Sequence, residues 1–497
     1  MLAKAKYIYL VGIKGVGMTA LAQILKSQGK SIQGSDTPEK FFTDKVLKKL
    51  KISFKEGFGA KNLPKKTDLV IYSTAFNPKE HPEIIAAKKK NLPVISYPEA
   101  LSSLFNGELG IAISGTHGKT TTSALIAESL KNLGLDPTAL IGSRVVNWQT
   151  NAIVGKSPFF VIEADEHQNK LRYYRPWSLV LTNIDYDHPD FYRKPEDYYQ
   201  AFKKWVWKWQ AKKSLIPKIG VFNGDDPKTK RLLQELKLGK SKNCIVLTYG
   251  TSHNCDLMIG TGQAILLRKG NKGEFFSKIN IRMNIKSEKP RIIPVKSKLI
   301  GWHNVYNLAA AFAFVAGLNI TIRKISQKAG QPDLKPIPLN KIAQSFASFG
   351  GTERRLQFIG QRKNVLVYDD YAHHPKEIEA TLSAIRKNFA KHDIFVVFQP
   401  HTYTRTSAFL KEFANSLELA DNIGLLPIYG SAREAKGNIR SASIKQRLTR
   451  NKKSTFDFPS HKDCLEFLNK YKFNKPTILI TMGAGDGWRV GKDYLKI

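Results

Sequence analysis

The chain has 497 residues, which is too long for one ordinary domain and predicts about three. Its net charge of +38 suggests nucleic acid or an anionic membrane as a partner. However, the lysines are spread along the chain, and no groove-reading module is recognisable. We find no apolar run that approaches the ~20 residues of a membrane span and no signal-peptide-like N-terminus. The three cysteines lack C-x-x-C spacing, which argues against a disulfide framework or a zinc site. These features predict a soluble cytoplasmic protein.

The first block of the chain reads as strand, glycine turn, helix and strand. The turn is Gly12-Ile-Lys-Gly-Val-Gly17, and the second strand ends at Asp36. A glycine turn before a helix seats a diphosphate, and an acid about 20 residues further on bonds a ribose hydroxyl. The strand from 68 to 72 then ends at Ser73, in another loop at a strand's carboxyl end. Because the spacing is not the usual G-x-G-x-x-G, a plain α/β layer without a ligand stays an alternative.

The second block begins with an apolar strand, 110–113, that runs into Gly115-Thr-His-Gly-Lys-Thr-Thr121, here called the phosphate loop. An apolar-periodic helix, 123–133, follows it. Two glycines let backbone N–H groups close around an anion at the helix N-terminus. Lys119 would then reach the outer phosphates, and the hydroxyl of Thr120 or of the next threonine would hold Mg²⁺. The spacing departs from the general P-loop, so a chance helix start is the alternative.

Polar residues follow the next two predicted strands. Strand 159–162 runs into Glu163, and strand 179–181 runs into a segment that ends at His188. Ligands bind outside the carboxyl ends of parallel strands, so both side chains are predicted to meet Thr120 in one cleft. Their oxygen atoms suit Mg²⁺, with an imidazole as an extra ligand. A solvated carboxylate and a packing histidine are the alternatives.

Between 215 and 300 the sequence predicts added short strands, at 220–222, 245–249, 264–268 and 279–283. An alanine-rich helix, 308–316, follows them. Asn304 precedes this helix as a plausible cap, although its amide could also read an adenine edge.

The third block again alternates strands and helices, which predicts a parallel doubly wound sheet. Polar and cationic residues follow three of its strands, in segments 369–375, 399–405 and 482–487. A glycine-containing link, 349–357, joins it to the second block, and Arg354 or Arg355 could close from there onto a phosphate.

These motifs together resemble those of the ATP-dependent Mur ligase family, and the resemblance covers nearly the whole chain. The motifs that carry it occur in the family's order: Gly12 to Gly17, Ser73-Thr-Ala75, Gly115 to Thr121, Glu163 to Glu166, Thr182 to His188, His303-Asn304, Arg354-Arg355, Asp369 to Pro375, Gln399 to Arg405 and Gly483 to Asp486.

The resemblance implies an α/β fold of three domains. Residues 1–107 would form a Rossmann-like UDP-sugar domain, residues 108–348 a central ATP-binding domain whose P-loop-like parallel sheet carries extra strands, and residues 349–497 a Rossmann-like domain that closes over the amino acid. In the implied reaction of peptidoglycan precursor synthesis, the γ-phosphate of ATP, held with Mg²⁺, moves to the carboxylate of UDP-N-acetylmuramate. The amine of L-alanine then attacks the acyl phosphate. We expect a monomer or weak homodimer without a membrane or nucleic-acid partner.

The resemblance also assigns roles by position. It assigns catalysis to Lys119, Glu163, His188, Arg355 and Arg405. It assigns the metal ions to Thr120, Glu163 and His188. It assigns ATP binding to Gly115, Thr116, His117, Gly118, Lys119, Thr120, Thr121, Asn304, Arg354, Arg355 and Asp370. It assigns UDP-sugar binding to Gly12, Gly15, Gly17, Asp36 and Ser73. It assigns the amino-acid pocket to Tyr371, His373 and Arg405.

The chain departs from the family pattern at a few positions. His167 and Gln168 stand where the family usually has Ser-Asp, which puts the sugar-side contacts of that loop in doubt. Thr402 stands where some members have an arginine. Lys203 lies about as far beyond His188 as a carbamylated lysine in some Mur ligases, and we hold its carbamylation as a hypothesis.

Two rival functions stay open at this stage. The nearer rival is a peptidoglycan-recycling ligase that joins an intact tripeptide to the same nucleotide sugar. The more distant rival is a basic ATP-binding protein that acts with RNA or DNA, for which the lysine- and tryptophan-rich segment 203–213 would be a contact. That segment is equally typical of an amphipathic helix with buried tryptophans. A nicotinamide oxidoreductase built on the N-terminal glycine turn does not account for the phosphate loop.

Overall fold

The computed structural model describes residues 1–240, 244–260, 267–269, 274–284, 290–329, 335–430, 437–449 and 454–496. Three β-sheets with flanking helices follow one another along the chain. They lie within the three predicted domain ranges, although the domain boundaries themselves stay predictions.

The first sheet has five parallel strands in the order β3-β2-β1-β4-β5. Its strands are β1 Tyr7–Val11, β2 Ser31–Asp36, β3 Ser53–Glu56, β4 Leu69–Tyr72 and β5 Val94–Ser96. Its helices are α1 Val16–Ser27, α2 Phe42–Lys49, α3 Pro82–Lys89 and α4 Tyr97–Phe105. Four of the five residues of β1 are buried, because helices cover both faces of a parallel sheet.

Among the described residues, the central sheet has eleven strands, with the order β14-β15-β13-β12-β11-β10-β6-β9-β7-β8 and β16 paired to β15. Its strands are β6 Leu109–Ser114, β7 Thr138–Val145, β8 Thr150–Ile153, β9 Phe159–Glu163, β10 Ser178–Leu181, β11 Lys218–Asn223, β12 Cys244–Gly250, β13 Leu257–Ile259, β14 Leu267–Lys269, β15 Glu274–Met283 and β16 Arg291–Ser297. Its helices are α5 Lys119–Asn132, α6 Pro195–Ala211, α7 Pro227–Glu235, α8 Trp302–Ala329 and α9 Leu339–Ser345.

The middle of this sheet is parallel, and its two edges carry antiparallel strands. The predicted strands 220–222, 245–249 and 279–283 are confirmed as β11, β12 and β15, whereas β13 and β16 were not predicted. One predicted strand, 264–268, falls in part on residues 264–266, which lie outside the described residues.

Helix α5 begins at Lys119, four residues earlier than predicted, so the lysine and threonines of the phosphate loop stand in its first turn. Helix α8 is also longer than predicted and begins at Trp302. Asn304 therefore lies inside the helix, and the prediction that it caps the helix was wrong.

Helix α8 is the central core helix. Its segment Trp302–Ile325 is the one stretch of the described residues that is long and apolar enough to cross a membrane, but 83 % of its most apolar window is buried in the protein. The expectation that no apolar run reaches this length was wrong. The helix packs with α5 against the central sheet, and this packing accounts for its apolar surface.

Helix α6 is amphipathic, as its sequence predicted. Trp205 and Trp209 are buried, whereas Lys204 and Lys208 are exposed. The interleaved lysines and aromatic residues are therefore explained by packing on one helix face. The three cysteines are buried and free.

In the described part of the C-terminal region, the third sheet has six strands in the order β17-β18-β22-β19-β20-β21. Its strands are β17 Gln357–Arg362, β18 Val365–Asp370, β19 Asp393–Phe398, β20 Asn422–Leu425, β21 Ser454–Asp457 and β22 Thr477–Met482. Its helices are α10 Pro375–Asn388, α11 Tyr403–Ala408, α12 Leu410–Leu417, α13 Ala442–Thr449, α14 His461–Lys470 and α15 Trp488–Tyr494. The prediction of a parallel sheet is correct for five strands, but the edge strand β17 is antiparallel to β18.

Candidate functional site

The phosphate loop connects β6 to α5, and its glycines adopt conformations that other residues avoid. The φ angles of Gly115 and Gly118 are 130° and 83°. A Cβ atom on Gly118 would lie 2.3 Å from Asn307 Oδ1, so a side chain is excluded there. Asn307 was not predicted as a site residue, although it lies three residues after Asn304 on the same helical face.

Lys119 points back across the loop. Its Nζ donates to the carbonyl oxygens of Gly115 and Thr116 at 2.6 and 3.0 Å and lies 3.0 Å from Glu166 Oε2. Burial lowers the pKa of the ammonium, but the Glu166 and Glu163 carboxylates outweigh burial and raise it. The lysine therefore keeps a positive charge at the loop.

Thr120 and Glu163 form an oxygen pair beside this charge. The Thr120 hydroxyl donates to Glu163 Oε2 at 2.8 Å, and the Gly142 N–H donates to the same atom at 3.1 Å. Burial raises the pKa of Glu163, while Lys119 opposes this shift. A hydroxyl and a buried carboxylate are hard oxygen donors, and this donor set fits Mg²⁺. The structure thus brings together the two residues predicted to share a metal ion. Thr121, the alternative hydroxyl, is also buried in the first turn of α5.

Glu166 is fully buried at the centre of the cluster. Its Oε1 accepts from the Tyr198 hydroxyl at 3.0 Å and lies 3.5 Å from His188 Nε2. Burial raises the pKa of Glu166, but Lys119 and His188 outweigh it and lower the pKa. Glu166 stood in a quoted motif and was not predicted to contact Lys119. Its position three residues after Glu163 was the only local indication in the sequence that Glu166 lies at this site.

The C-terminal domain supplies the opposite wall. A cavity of about 160 Å³ separates it from the phosphate loop. The cavity is lined by Thr116, Gly118, Lys119, Thr120, Glu163, Asp187, His188, Arg355, Tyr371, His373 and Glu377. Nine of these eleven were predicted as site residues, and Asp187 and Glu377 were not.

Arg355 and Arg354 both lie over the Tyr371 ring, but their other contacts differ. Arg355 lines the cavity, with its guanidinium carbon 5.3 Å from the Tyr371 ring centre and Nη1 3.7 Å from Glu377 Oε1. Arg354 instead bonds Asp369 at 2.9 Å and the carbonyl oxygens of the 483–485 loop. Of the two arginines, Arg355 is thus the one in position to meet a phosphate in the cavity.

Asp370 is also held within its own domain. It accepts from the backbone N–H groups of Leu356 and Ala372 and from the Thr381 hydroxyl, at 2.9, 2.7 and 3.0 Å. Burial raises the pKa of its carboxyl to about 6, although Arg355 opposes this. Burial also lowers the pKa of His373 to about 3, so this cavity imidazole is neutral near pH 7.

His117 joins the two domains across the loop. Its Nε2 lies 3.3 Å from Asp185 Oδ2 in the central domain, and its Nδ1 lies 3.3 Å from Glu377 Oε1 in the C-terminal domain. Burial lowers the pKa of this imidazole, but the hydrogen bonds to both carboxylates outweigh burial and raise it to about 9. Lys376 adds a second contact to Asp185 at 3.0 Å.

Arg405 makes another contact between these domains. Its guanidinium bonds both carboxylate oxygens of Asp187, with Nη2 at 2.9 and 3.2 Å. Burial raises the pKa of Asp187, but Arg405 outweighs it and holds the pKa far below its usual range. Arg405, the cation predicted for the amino-acid pocket, is therefore paired with Asp187, the residue before His188.

Asn304 is buried against α8's own first turn. Its Nδ2 donates to the Ile300 carbonyl at 2.8 Å, and its Oδ1 accepts from Asn307 at 3.1 Å. Both ends of the amide are thus engaged, and its role as an adenine reader stays a prediction.

The predicted UDP-sugar residues meet at the carboxyl ends of β1, β2 and β4. Gly12 has a φ of 82°, and Gly15 N–H donates to its carbonyl at 3.1 Å. Asp36 accepts from the N–H groups of Lys14 and Thr37 at 2.6 and 2.8 Å, so this acid orders the turn itself. Burial raises the pKa of Asp36.

Two further contacts complete this turn. A Cβ on Gly17 would lie 2.7 Å from the Tyr97 ring, and Ser73 Oγ accepts from the Ala75 N–H at 3.3 Å. Asn151 of β8 donates to the Val16 carbonyl at 2.7 Å and so ties the turn to the central domain.

Lys203 does not join the phosphate-loop cluster. Its Nζ lies 2.8 Å from Glu235 Oε2 of α7. The Lys203 ammonium, with help from Arg231 and Tyr199, lowers the pKa of Glu235 to about 2. A carbamate at Lys203 would face this carboxylate with like charge, so the structure favours an unmodified lysine.

The chain matches three consecutive family models. Residues 7–108 match "Mur ligase family, catalytic domain", residues 113–315 match "Mur ligase middle domain", and residues 354–485 match "Mur ligase, glutamate ligase domain".

Curated relatives and solved structures match this chain over nearly its full length. UDP-N-acetylmuramate–L-alanine ligase of Desulfitobacterium hafniense is 33 % identical over 98 % of this chain and 99 % of that protein. The Borreliella burgdorferi ligase of the same name is 33 % identical over 97 % of both chains. The crystal structure of UDP-N-acetylmuramate-alanine ligase MurC from Thermotoga maritima is 25 % identical with a TM-score of 0.76, over 99 % of this chain and 98 % of that one. A murein peptide ligase from Psychrobacter arcticus shares the fold at 21 % identity and a TM-score of 0.68, over 99 % and 98 % of the two chains.

Proposed function

The chain belongs to the Mur ligase family, and from that premise we propose that it joins L-alanine to the carboxylate of UDP-N-acetylmuramate with hydrolysis of ATP to ADP and phosphate. The observation that carries the proposal is the full-length 33 % identity to ligases of that name. The murein peptide ligase structures that represent the tripeptide-joining alternative are 21 % and 24 % identical to this chain, which shows a shared fold alone.

The phosphate loop is the proposed site of the ATP phosphates. The N-terminus of α5 and the backbone N–H groups of the loop attract an anion. Lys119 is charged and already held at the loop, so it needs little reorganisation to bond a phosphate oxygen. Arg355 approaches the same cavity from the C-terminal domain.

Thr120 and Glu163 are the residues that would hold Mg²⁺, with His188 beside them. When bound, Mg²⁺ neutralises charge on the transferring phosphoryl group and orients it for in-line attack. The buried Glu163 carboxylate has Lys119 as its main electrostatic partner, so a cation at this position offsets its burial cost.

The remaining residues serve binding and closure. The turn at residues 12–17, Asp36 and Ser73 are the proposed diphosphate and ribose side of the UDP-sugar site. Tyr371, His373 and Arg405 are the proposed amino-acid side of the cavity. The contacts of His117 and Arg405 across the domain boundary exclude water from the acyl phosphate, which would otherwise hydrolyse. Because ATP and a nucleotide sugar are the proposed substrates, we propose that the enzyme acts in the cytoplasm.

The test is phosphate release from Mg²⁺-ATP in the presence of UDP-N-acetylmuramate and one acceptor at a time. L-alanine, L-serine, glycine and the tripeptide are compared, and products are identified by mass. We expect fast turnover with L-alanine and slower turnover with serine and glycine, because one small group in a pocket discriminates by about 1–3 kcal/mol. Turnover only with tripeptide would identify the recycling ligase, and phosphate release independent of any acceptor would refute the ligase assignment.

A further inference from the structure

Tyr97 lies at the glycine turn of the first domain, and none of the roles predicted from the sequence includes it. It is the first residue after β5, whose carboxyl end lies at the same edge of the parallel sheet as the ends of β1, β2 and β4. A Cβ atom on Gly17 would lie 2.7 Å from both Cζ and the hydroxyl oxygen of Tyr97, so the phenol rests directly on the turn. The strand-end rule that selected Ser73 therefore selects Tyr97 as well.

The same phenol also lies close to the carboxylates of the central domain. Its ring packs against two core clusters, one within the first domain and one composed mainly of central-domain residues. The nearby carboxylates of Glu163 and Asp165 add to burial in raising the pKa of the Tyr97 hydroxyl. The hydroxyl is therefore a hydrogen-bond donor near pH 7, and it lies between the glycine turn and the carboxylate that would hold Mg²⁺.

The backbone around Tyr97 is fixed by its neighbours. Ser96 and Glu99 form a capping box at the start of α4, in which Glu99 Oε2 accepts from the N–H and the hydroxyl of Ser96 at 2.7 and 2.6 Å. Pro98 follows Tyr97 in the first turn and fixes its own φ. The position of the phenol is thus set before any ligand binds, which lowers the entropy cost of a contact with it.

The Tyr97 hydroxyl has no hydrogen-bond partner among the residues that the structure describes. Other buried tyrosines are paired, since the Tyr198 hydroxyl donates to Glu166 at 3.0 Å and the Tyr9 hydroxyl to Glu83 at 3.2 Å. Packing between the two domains needs only the aromatic ring, which a phenylalanine would supply equally well. A partly buried donor without a protein partner is retained at low cost where a ligand accepts its hydrogen bond.

We propose that the Tyr97 hydroxyl donates a hydrogen bond to the N-acetylmuramate sugar and holds it between the diphosphate and the reacting carboxylate. The inference rests on the proposed function. The turn at residues 12–17 is the proposed diphosphate site, and the acyl phosphate would form beside the Thr120–Glu163 pair. The sugar is the part of the substrate that joins these two groups. Tyr97 contacts the turn at Gly17 and lies near Glu163, so it stands where the sugar must pass.

The test is Tyr97→Phe in the full chain, which removes the hydroxyl and keeps the ring. Calorimetry without ATP compares UDP-N-acetylmuramate with UDP, which has the diphosphate but no sugar. The Kd of UDP-N-acetylmuramate should rise about 5-fold, the scale of one lost hydrogen bond, while the Kd of UDP stays within about two-fold. In turnover, the KM for UDP-N-acetylmuramate should rise by the same factor with kcat and the KM for ATP unchanged, because the contact serves binding alone.

The matched control is Tyr7→Phe, the same change at the amino end of β1, where the side chain is exposed. It should leave both Kd values unchanged, and thermal melting checks that the variants are folded. Unchanged affinity for UDP-N-acetylmuramate in folded Tyr97→Phe, or equal weakening of UDP, would overturn the inference.

Failure of the proposed function would appear differently. A wild type that binds UDP-N-acetylmuramate with the expected dependence on Tyr97 but releases no phosphate with L-alanine would refute the ligase reaction and leave the sugar contact in place. A wild type that does not bind UDP-N-acetylmuramate would overturn both.

Discussion

The glycine turn at residues 12–17 and the phosphate loop have the same architecture but use their lysines differently. Each joins a buried parallel strand to a helix. Lys14 is buried among the carbonyl oxygens of Thr37 and Glu39 and the carboxylates of its own domain. Lys119 instead lines the cavity shared with the C-terminal domain. The same local structure thus stabilises the fold at Lys14, which is surrounded by its own domain. At Lys119 it serves the chemistry, because this lysine faces a cavity shared with another domain.

The largest effect is expected from Lys119→Met, which removes the cation of the phosphate loop. The kcat of phosphate release should fall by about 10³-fold, because preorganised charge at a transferring group contributes on this scale. Measurement at saturating substrates tests this. UDP-N-acetylmuramate binding by calorimetry should be retained, and a kcat within ten-fold of the wild type would contradict the role of the lysine.

Lys14→Met should affect stability rather than chemistry. The variant leaves Asp44 without its partner at 3.3 Å and removes two buried carbonyl contacts. Breaking a buried pair on one side costs about 3 kcal/mol of unfolding free energy. Urea unfolding measures the loss, and kcat should stay within about ten-fold. A larger fall in kcat without lost stability would erase the distinction between the two lysines.

The contact of His117 should make stability depend on pH. Its pKa is raised from 6.5 to about 9 in the folded protein, so its contribution is fully present below pH 6.5 and is lost as the pH rises through about 9. The contribution is at most about 3 kcal/mol. His117→Asn should therefore lower the urea midpoint at pH 6 and leave it nearly unchanged at pH 10. Equal destabilisation at both pH values would show that the protonated imidazole is not responsible.

The smallest effect is expected from Lys203→Ala. Since Lys203 bonds Glu235 and lines no part of the cavity, kcat should stay within about two-fold, with or without bicarbonate. A large loss of kcat that bicarbonate restores in part would revive carbamylation.

Local sequence patterns predicted those site residues that come directly after a strand of the parallel sheet. Thr120, Glu163 and His188 were expected to converge because parallel strands end at one edge of a sheet, and all three line the cavity. Asn304 was misjudged as a cap because helix α8 begins at Trp302, two residues before it, and not at the predicted start of 308.

The sequence by itself determined the three α/β units, the phosphate loop and the family, because apolar periodicity and glycine spacing are local properties. Only the tertiary structure decided which charges are paired. Glu166 was assigned to Lys119, Asp187 to Arg405 and Glu377 to His117 by contacts between segments 47 to 260 residues apart. No local pattern encodes such pairs, since the energy of a buried charge depends on its neighbours in space.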